Sequence, residues 1–285
     1  MISNDEMITL HQEQHGLIDQ NSFDNPYMYI QHLMHVFAYQ HIATLCVGKS
    51  VLDIGCNKGY GTELLAANAS NVIGVDVSQK AIETARNGCQ NTKIEFQTID
   101  GKNLPFENDT FDVVVGCQVI EHIADVSSFM TEVTRVLLPG GLALFTTPNA
   151  VIRLTPGMKP WNKFHVQEYT ARELRELFAS SFRSVDVAGL FASDKIEELL
   201  KERYAQAMAI TVRESNLSAL RKSVRVMKKL LPDAVSNFLY AQLFPASQCE
   251  APDNFKESFS LNDFYYAQDE LDAALDILVV AQEKY

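Results

Sequence analysis

The sequence predicts an α/β fold, a mostly parallel sheet with helices on both faces. Two observations carry this. Short apolar runs alternate with helical segments from about residue 51 to residue 191, the pattern of parallel strands covered on both sides. The first run ends at a glycine-containing turn, VLDIGCNKGYG (51–61), and in open α/β sheets ligands bind at such strand ends, near the point where strand order reverses.

The elements follow in order. Residues 27–39 are aromatic-rich, and Tyr29, Leu33, Val36 and Phe37 recur at helical spacing, so a helix or two leads into the core and stops at Gly48. The stretches 51–54, 71–75, 93–98, 111–117, 142–147 and 185–191 read as strands. Between them, 61–69, 79–87, 126–138 and 169–178 read as helices, the last opened by a Thr170/Glu173 capping box. Pro139, Gly140 and Gly141 turn the chain into the fifth strand. Each parallel crossover is expected to be right-handed. From 195 to 261 the rhythm changes to a helical one, with Leu217, Leu220, Val224, Met227 and Leu231 in one apolar stripe, before a terminal strand at 274–282. The division expected is a helical cap (1–48), a sheet core (49–194 and 262–285) and a helical insertion (195–261).

Composition narrows the function. The 285 residues are 47% hydrophobic and 21% charged, enough for one large domain or a medium one with an elaboration. A net charge of −12 disfavours generic nucleic-acid binding, because an acidic surface repels phosphates. The five cysteines, Cys46, Cys56, Cys89, Cys117 and Cys249, form no C-x-x-C pair. That argues against a disulfide framework or a structural zinc site and fits a reducing cytoplasm. The first ten residues lack the basic and apolar regions of a signal peptide, and no apolar run approaches the roughly 18 residues of a membrane span. No membrane partner is expected.

The turn selects the ligand chemistry. A dinucleotide site needs G-x-G-x-x-G. The matching positions are Gly55, Asn57 and Tyr60, so the pattern fails twice. A P-loop needs G-K-[ST], which is absent. Asp53, at the end of the strand, would repel a pyrophosphate and suits a ligand with an ammonium group and no phosphate, such as an amino-acid-bearing nucleoside.

With Asp53, Gly55 and Gly59 in place, the segment resembles the first motif, D-x-G-x-G-x-G, of the class I S-adenosylmethionine-dependent methyltransferases. Asn57 replaces the middle glycine and tolerates positive φ. The resemblance runs in order over about 51–189 and points to the small-molecule and sugar branch. It implies a Rossmann-like seven-stranded sheet, mostly parallel, whose last strand (277–281) is antiparallel. It also implies S-adenosyl-L-methionine as cofactor and S-adenosyl-L-homocysteine as product. Asp53, Gly55, Cys56, Asn57 and Gly59 are then turn contacts. Asp76, 21 residues after Gly55 at the end of VIGVD (72–76), and Val77 match the ribose position. Asp100 and Gly101, ahead of LPF (104–106), match the adenine position, although Asp100 also suits a helix cap. Cys117 and Gln118 match the methionine position, and LPGG (138–141) and TPN (147–149) the fifth-strand region.

Two histidines are candidate catalytic residues. His122 follows Glu121 after the fourth strand and either packs locally or lines the methyl-transfer pocket. His165 lies in WNKFHVQEY (161–169), which resembles a segment of family members that often act on sugars and natural products. It is the neutral-pH base of that loop, or else it pins the loop by hydrogen bonds while Trp161 packs on the core. No metal is implied, because the acids and histidines form no ligand pattern such as H-E-x-x-H. Arg221, Lys222, Arg225, Lys228 and Lys229 make either a solvated face or a grip on a phosphate- or carboxylate-bearing substrate or an acidic neighbouring surface. Tyr27, Tyr29 and Phe37 read as core, and aromatic elements outside the sheet are candidates for a homodimer contact. The function expected is methylation of a small molecule, a sugar, glycan precursor or natural product, on oxygen slightly ahead of nitrogen, with 195–261 as a substrate lid. A non-catalytic S-adenosylmethionine-binding protein is the alternative, supported by Asn57. A nicotinamide-dependent oxidoreductase is opposed by the failed glycine pattern.

Overall fold

The computed structural model describes residues 23, 25–162, 164–216 and 255–285. The apolar runs become the middle of one sheet. Strands β1 (Ser50–Ile54), β2 (Asn71–Asp76), β3 (Ile94–Thr98), β4 (Phe111–Cys117) and β5 (Leu137–Pro148) lie parallel in the order β3-β2-β1-β4-β5. Strand order reverses between β1 and β4, which creates a crevice at their C-terminal ends. Beyond β5 the sheet continues with β6 (Phe182–Ala192), β7 (Phe264–Ala267) and β8 (Asp276–Lys284), in the order β5-β8-β6-β7, and each of these pairings is antiparallel.

Among the described residues the sheet therefore has eight strands rather than the expected seven. The terminal strand is antiparallel as expected. The addition is the edge strand β7, Phe264-Tyr-Tyr-Ala267, paired with Gly189–Ala192 of β6. Four residues are too few to show a periodicity. What fixes β7 is aromatic packing, with the Phe37 ring 5.9 Å from Phe264 and 5.6 Å from Tyr266. Within β5, the pairing with β4 shifts register between Phe111 and Val113. Pro139, Gly140 and Gly141 thus sit inside an irregular strand instead of preceding it.

The helices are α1 (Pro26–Leu45), α2 (Tyr60–Ala66), α3 (Gln79–Gly88), α4 (Val126–Val136), α5 (Ala150–Arg153), α6 (Ala171–Ala179), α7 (Asp194–Asn216) and α8 (Phe255–Ser258). Helix α1 starts because Asn25 accepts from Met28 N and Pro26 occupies the first turn. It stops at Leu45, ahead of Gly48. The Thr170/Glu173 capping box opens α6 with both reciprocal bonds present.

Alternate residues of the central strands feed two cores. Leu52, Val114 and Phe145 face one layer, with Val133 of α4 and Leu174 and Phe178 of α6. Val51, Val113, Val115 and Leu144 face the other, with Ile42 of α1 and Leu65 of α2. Full burial of each such side chain contributes about 1.5–3 kcal/mol. A third cluster joins Ile30, Leu33 and Met34 of α1 to Ile196, Leu200 and Tyr204 of α7, over Phe264 and Leu190 at the sheet edge. The N-terminal helix and the start of the insertion thereby share one apolar seam. The apolar stripe from Leu217 to Leu231, the basic cluster from Arg221 to Lys229 and Cys249 lie outside the described residues. Among the described residues all four cysteines are free thiols, and no helix is long and apolar enough to cross a membrane.

Candidate active site

The turn after β1 is held in the left-handed backbone region by Gly55 (φ +75°), Asn57 (φ +48°) and Gly59 (φ +85°). Asn57 thus takes the conformation expected of it. A Cβ on Gly59 would lie 2.4 Å from the Phe96 ring, so strain and lack of space both require glycine. The Gly55 and Cys56 N–H groups donate to the Val75 carbonyl at 2.8 and 3.0 Å, which stitches the turn to β2.

Three acids stand at or just beyond the ends of β1, β2 and β3, and protein donors engage each of them. Asp53 is fully buried. Its Oδ1 accepts from the Tyr39 hydroxyl at 3.1 Å and its Oδ2 from Thr62 Oγ1 at 2.6 Å. Burial raises its pKa to about 7 although both bonds favour the charged form. The sequence reading sets a ligand ammonium beside Asp53. In the structure both oxygens are bonded to those two hydroxyls, so Asp53 braces the floor of the turn. Asp76 Oδ2 accepts from Asn57 N at 2.9 Å and Oδ1 from Ser78 N at 2.8 Å, fixing the turn to the segment through Val77. Asp100 Oδ1 accepts from the N–H groups of Asn103 and Lys102 at 2.9 and 2.8 Å, and these bonds hold its carboxyl below the usual range. Asp100 therefore closes a turn with Gly101 (φ +76°) and caps no helix.

Across the crevice, β4 ends at the buried Cys117, whose thiol is pushed up by burial and by Asp53. Gln118 follows with φ +57°, a conformation that costs a non-glycine residue energy and marks a constrained strand end. Its N–H donates to the Thr146 carbonyl at 2.9 Å and its Nε2 to Asp276 Oδ2 at 3.0 Å. Asp276 is buried on β8, and burial raises its carboxyl to about 7.

One 3-10 turn, Ile120–His122, then carries Glu121 and His122. Glu121 is 1% exposed. Its Oε2 accepts from Thr147 Oγ1 at 3.0 Å, and its Oε1 has no hydrogen-bond partner. Burial raises this carboxyl to about 7. The Glu121 carbonyl accepts from Val166 N at 2.8 Å, which draws the loop of His165 onto the turn. His122 Nδ1 donates to the Phe164 carbonyl at 2.8 Å, and burial lowers the pKa of this ring. His165 Nδ1 donates to Glu168 Oε1 at 2.7 Å. Glu168 in turn accepts from Arg153 Nε and Nη2 at 2.8 and 3.0 Å, a buried two-point ion pair. Burial pushes the Glu168 carboxyl up, but the His165 and Arg153 bonds outweigh it and the group stays low. Trp161 stacks on Arg153, 4.3 Å from the ring centre to the guanidinium. The two histidine rings stand edge to face, 4.8 Å apart.

The structure thus groups Asp53, Gly55, Cys56, Asn57, Gly59 and Asp76 around one turn, with Cys117 and Gln118 on the neighbouring strand end. Asp100 and Gly101 follow the end of β3. His122 and His165 meet although they lie 43 residues apart in the chain. Sequence reasoning misses Tyr39, Thr62, Arg153, Glu168 and Asp276. Glu168 alone has a local signal, three residues after His165.

The donors of the turn indicate what it can hold. A pyrophosphate needs free N–H groups, yet Asn57 N is bonded to Asp76. The partly exposed carboxylate of Asp76 at the end of β2 fits a phosphate-free nucleoside better than a pyrophosphate. A family model described as "Methyltransferase domain" matches residues 52–145. A protein of Mycolicibacterium smegmatis named "Probable S-adenosylmethionine-dependent methyltransferase" is 38% identical over 167 residues, 58% of this chain and 64% of that protein. This chain therefore spans less than two thirds of that relative's length. A ubiquinone biosynthesis O-methyltransferase of Rhizobium johnstonii is 34% identical over 108 residues, 37% of this chain and 44% of that protein. Among solved structures, the [4+2]-cyclase SpnF covers 98% of this chain and 96% of its own at TM-score 0.55 and 16% identity, a likeness of fold alone. The turn, the strand-end acids and the strand order agree with that match, and residues 52–145 form a methyltransferase domain similar to those of S-adenosylmethionine-dependent enzymes.

Proposed function

We propose that this chain transfers a methyl group from S-adenosylmethionine to a small-molecule acceptor, on oxygen ahead of nitrogen, the acceptor being a sugar, a glycan precursor or a natural product. The observation that carries the proposal is the polar cluster of Glu121, His122 and His165, the first two of which follow β4 just after Val119, whose side chain lies against Gly55 of the turn. The similarity to an O-methyltransferase over 108 residues supports oxygen. The cofactor, when bound, supplies a methyl group already activated on a sulfonium, so no covalent enzyme intermediate is needed.

The residues have separate tasks. Asp76 and Val77 hold the ribose, Asp100 and Gly101 the adenine, and Cys117 and Gln118 the amino-acid end. Gly55, Cys56, Asn57 and Gly59 let the backbone approach the nucleoside. Asp53 acts from below, through a turn it keeps rigid. His165 or His122 takes the proton of the acceptor hydroxyl, each ring oriented by its Nδ1 bond. The insertion (195–261), of which residues 195–216 are among those described, is read as the lid over the acceptor. Tyr204 of α7 lies beside Arg153, 5.2 Å from guanidinium to ring, and so brings the insertion to the site. The free thiols fit a cytoplasmic setting.

Calorimetry with S-adenosylmethionine and with NAD tests the cofactor, and methyl transfer across an acceptor panel tests the reaction. Asp76→Ala is expected to weaken S-adenosylmethionine about 100-fold, from the loss of charge-assisted hydrogen bonds worth about 1.5–3 kcal/mol. Unchanged affinity removes the ribose assignment. Tight binding without turnover across the panel turns the reading to a non-catalytic binding protein.

A further inference from the structure

The turn after β4 shows a feature that methyl transfer does not require. Glu121 Oε1 is buried and receives no hydrogen bond. Leaving such an acceptor without a partner costs on the order of 1–3 kcal/mol, more when it is charged. His122 Nε2 is 4.0 Å away, too far for a hydrogen bond. One ligand atom each from Glu121, His122 and His165 lies within 4.8 Å of the others.

The bonds around the two rings decide their tautomers. The partner of His122 Nδ1 is a backbone carbonyl, and the partner of His165 Nδ1 is a carboxylate held by Arg153. Both partners can only accept, so Nδ1 is the protonated nitrogen in each neutral ring and Nε2 carries the lone pair. Rings ordered in this way by a carbonyl or carboxylate are typical of metal-bound histidines. The carboxylate is ordered too, since Thr147 occupies Oε2 and leaves Oε1 for another partner. Ligands about 2.1 Å from a shared ion are about 3.5 Å apart in a tetrahedral site, so an ion would draw these three groups together from their present spacing.

We propose that Glu121, His122 and His165 bind a divalent first-row transition metal ion, zinc best fitting the set, with at least one position open. Two imidazoles and one carboxylate suit zinc and related borderline ions better than magnesium or calcium, which prefer all-oxygen sites. Local spacing hides the site because His165 comes from a separate loop. Its part in catalysis rests on the methyltransferase reading. An acceptor hydroxyl at the open position would lose its proton to solvent near neutral pH, and the histidines would serve as ligands instead of as the base.

The test is metal binding itself, without cofactor. The chelator-stripped full chain is titrated with zinc by calorimetry and with cobalt(II) by visible absorption. The expected result is one equivalent bound at micromolar affinity or tighter, weakened at least 100-fold in His165→Ala and in Glu121→Gln. S-adenosylmethionine titration of the same variants reports whether they are folded. Substoichiometric zinc binding by a chain that binds S-adenosylmethionine overturns the metal site and leaves the methyltransferase reading intact. Unchanged zinc affinity in folded His165→Ala also overturns it. Zinc binding with no cofactor binding keeps the site and removes the methyltransferase reading.

Discussion

The two sides of the crevice treat buried carboxylates differently. On the β1–β3 side, both oxygens of Asp53 and of Asp76 accept hydrogen bonds from neighbouring protein groups. On the β4 side, Glu121 has one oxygen without a donor, and nearby Trp161 Nε1 is likewise unpartnered. The two carboxylates that hold the turn are satisfied from within, so the turn is shaped before any ligand arrives. Unpaired buried groups on the other side store unfavourable energy that a metal ion or an acceptor can relieve.

The comparison breaks first at Arg153. Its ion pair with Glu168 is almost inaccessible to water, with side chains 5% and 0% exposed. Removing one partner of such a pair typically costs about 3–5 kcal/mol, because the other charge stays buried. Arg153→Met is therefore expected to lower Tm by on the order of 10 °C and to release His165 from its orientation. Thermal unfolding checks the first effect, and zinc affinity or methyl transfer the second. A change of under about 1 kcal/mol would mean that Glu168 is hydrated, and the β4 side would no longer count as dry.

The cofactor side is legible in the sequence because its parts are local. Asp53, Gly55, Asn57 and Gly59 fall within seven residues, and the strand that precedes them fixes which way they face. Asp76 lies one strand further on, so motif spacing alone finds it. The cluster on the β4 side has no such spacing. His165 reaches Glu121 only because β5 and α5 return the chain and the Glu121 carbonyl captures Val166 N. Tyr39, 14 residues before Asp53, reads as one more apolar position of α1, and the partner of its hydroxyl depends on how α1 lies on α2. The edge strand β7 escapes for a related reason, since its aromatic residues answer to Phe37 rather than to a pattern of their own.

The second way to sharpen the comparison is pH. Asp53 titrates at about 7 when folded and near 3.9 when unfolded. Between these values the folded chain holds a proton that the unfolded chain does not, so stability falls as pH rises. From pH 5.5 to 7 this group alone removes about 2 kcal/mol. Asp276 and Glu121, also near 7, act in the same direction. Asp53→Asn is expected to flatten the slope of unfolding free energy against pH without abolishing it, as urea titrations at pH 5.5 and 7 would show. An unchanged slope would place the proton elsewhere.

The smallest expected effect tests whether the cofactor side is complete in the sense argued above. Tyr39→Phe deletes the 3.1 Å bond to Asp53 Oδ1 and keeps the ring against Gly61 and Tyr60. Thr62 still donates to Oδ2 at 2.6 Å, so the loss should be near the cost of one hydrogen bond, about 1 kcal/mol. Asp53 then has one bonded and one bare oxygen, the condition of Glu121 in the native chain. If the bare oxygen is what makes a carboxylate available to a cation, Tyr39→Phe should lose this small stability without cofactor and regain it when the ammonium-bearing nucleoside binds. Urea unfolding with and without saturating S-adenosylmethionine measures both halves. A variant less stable by the same amount in both conditions would show that Asp53 never faces the ligand and that its task is confined to holding the turn.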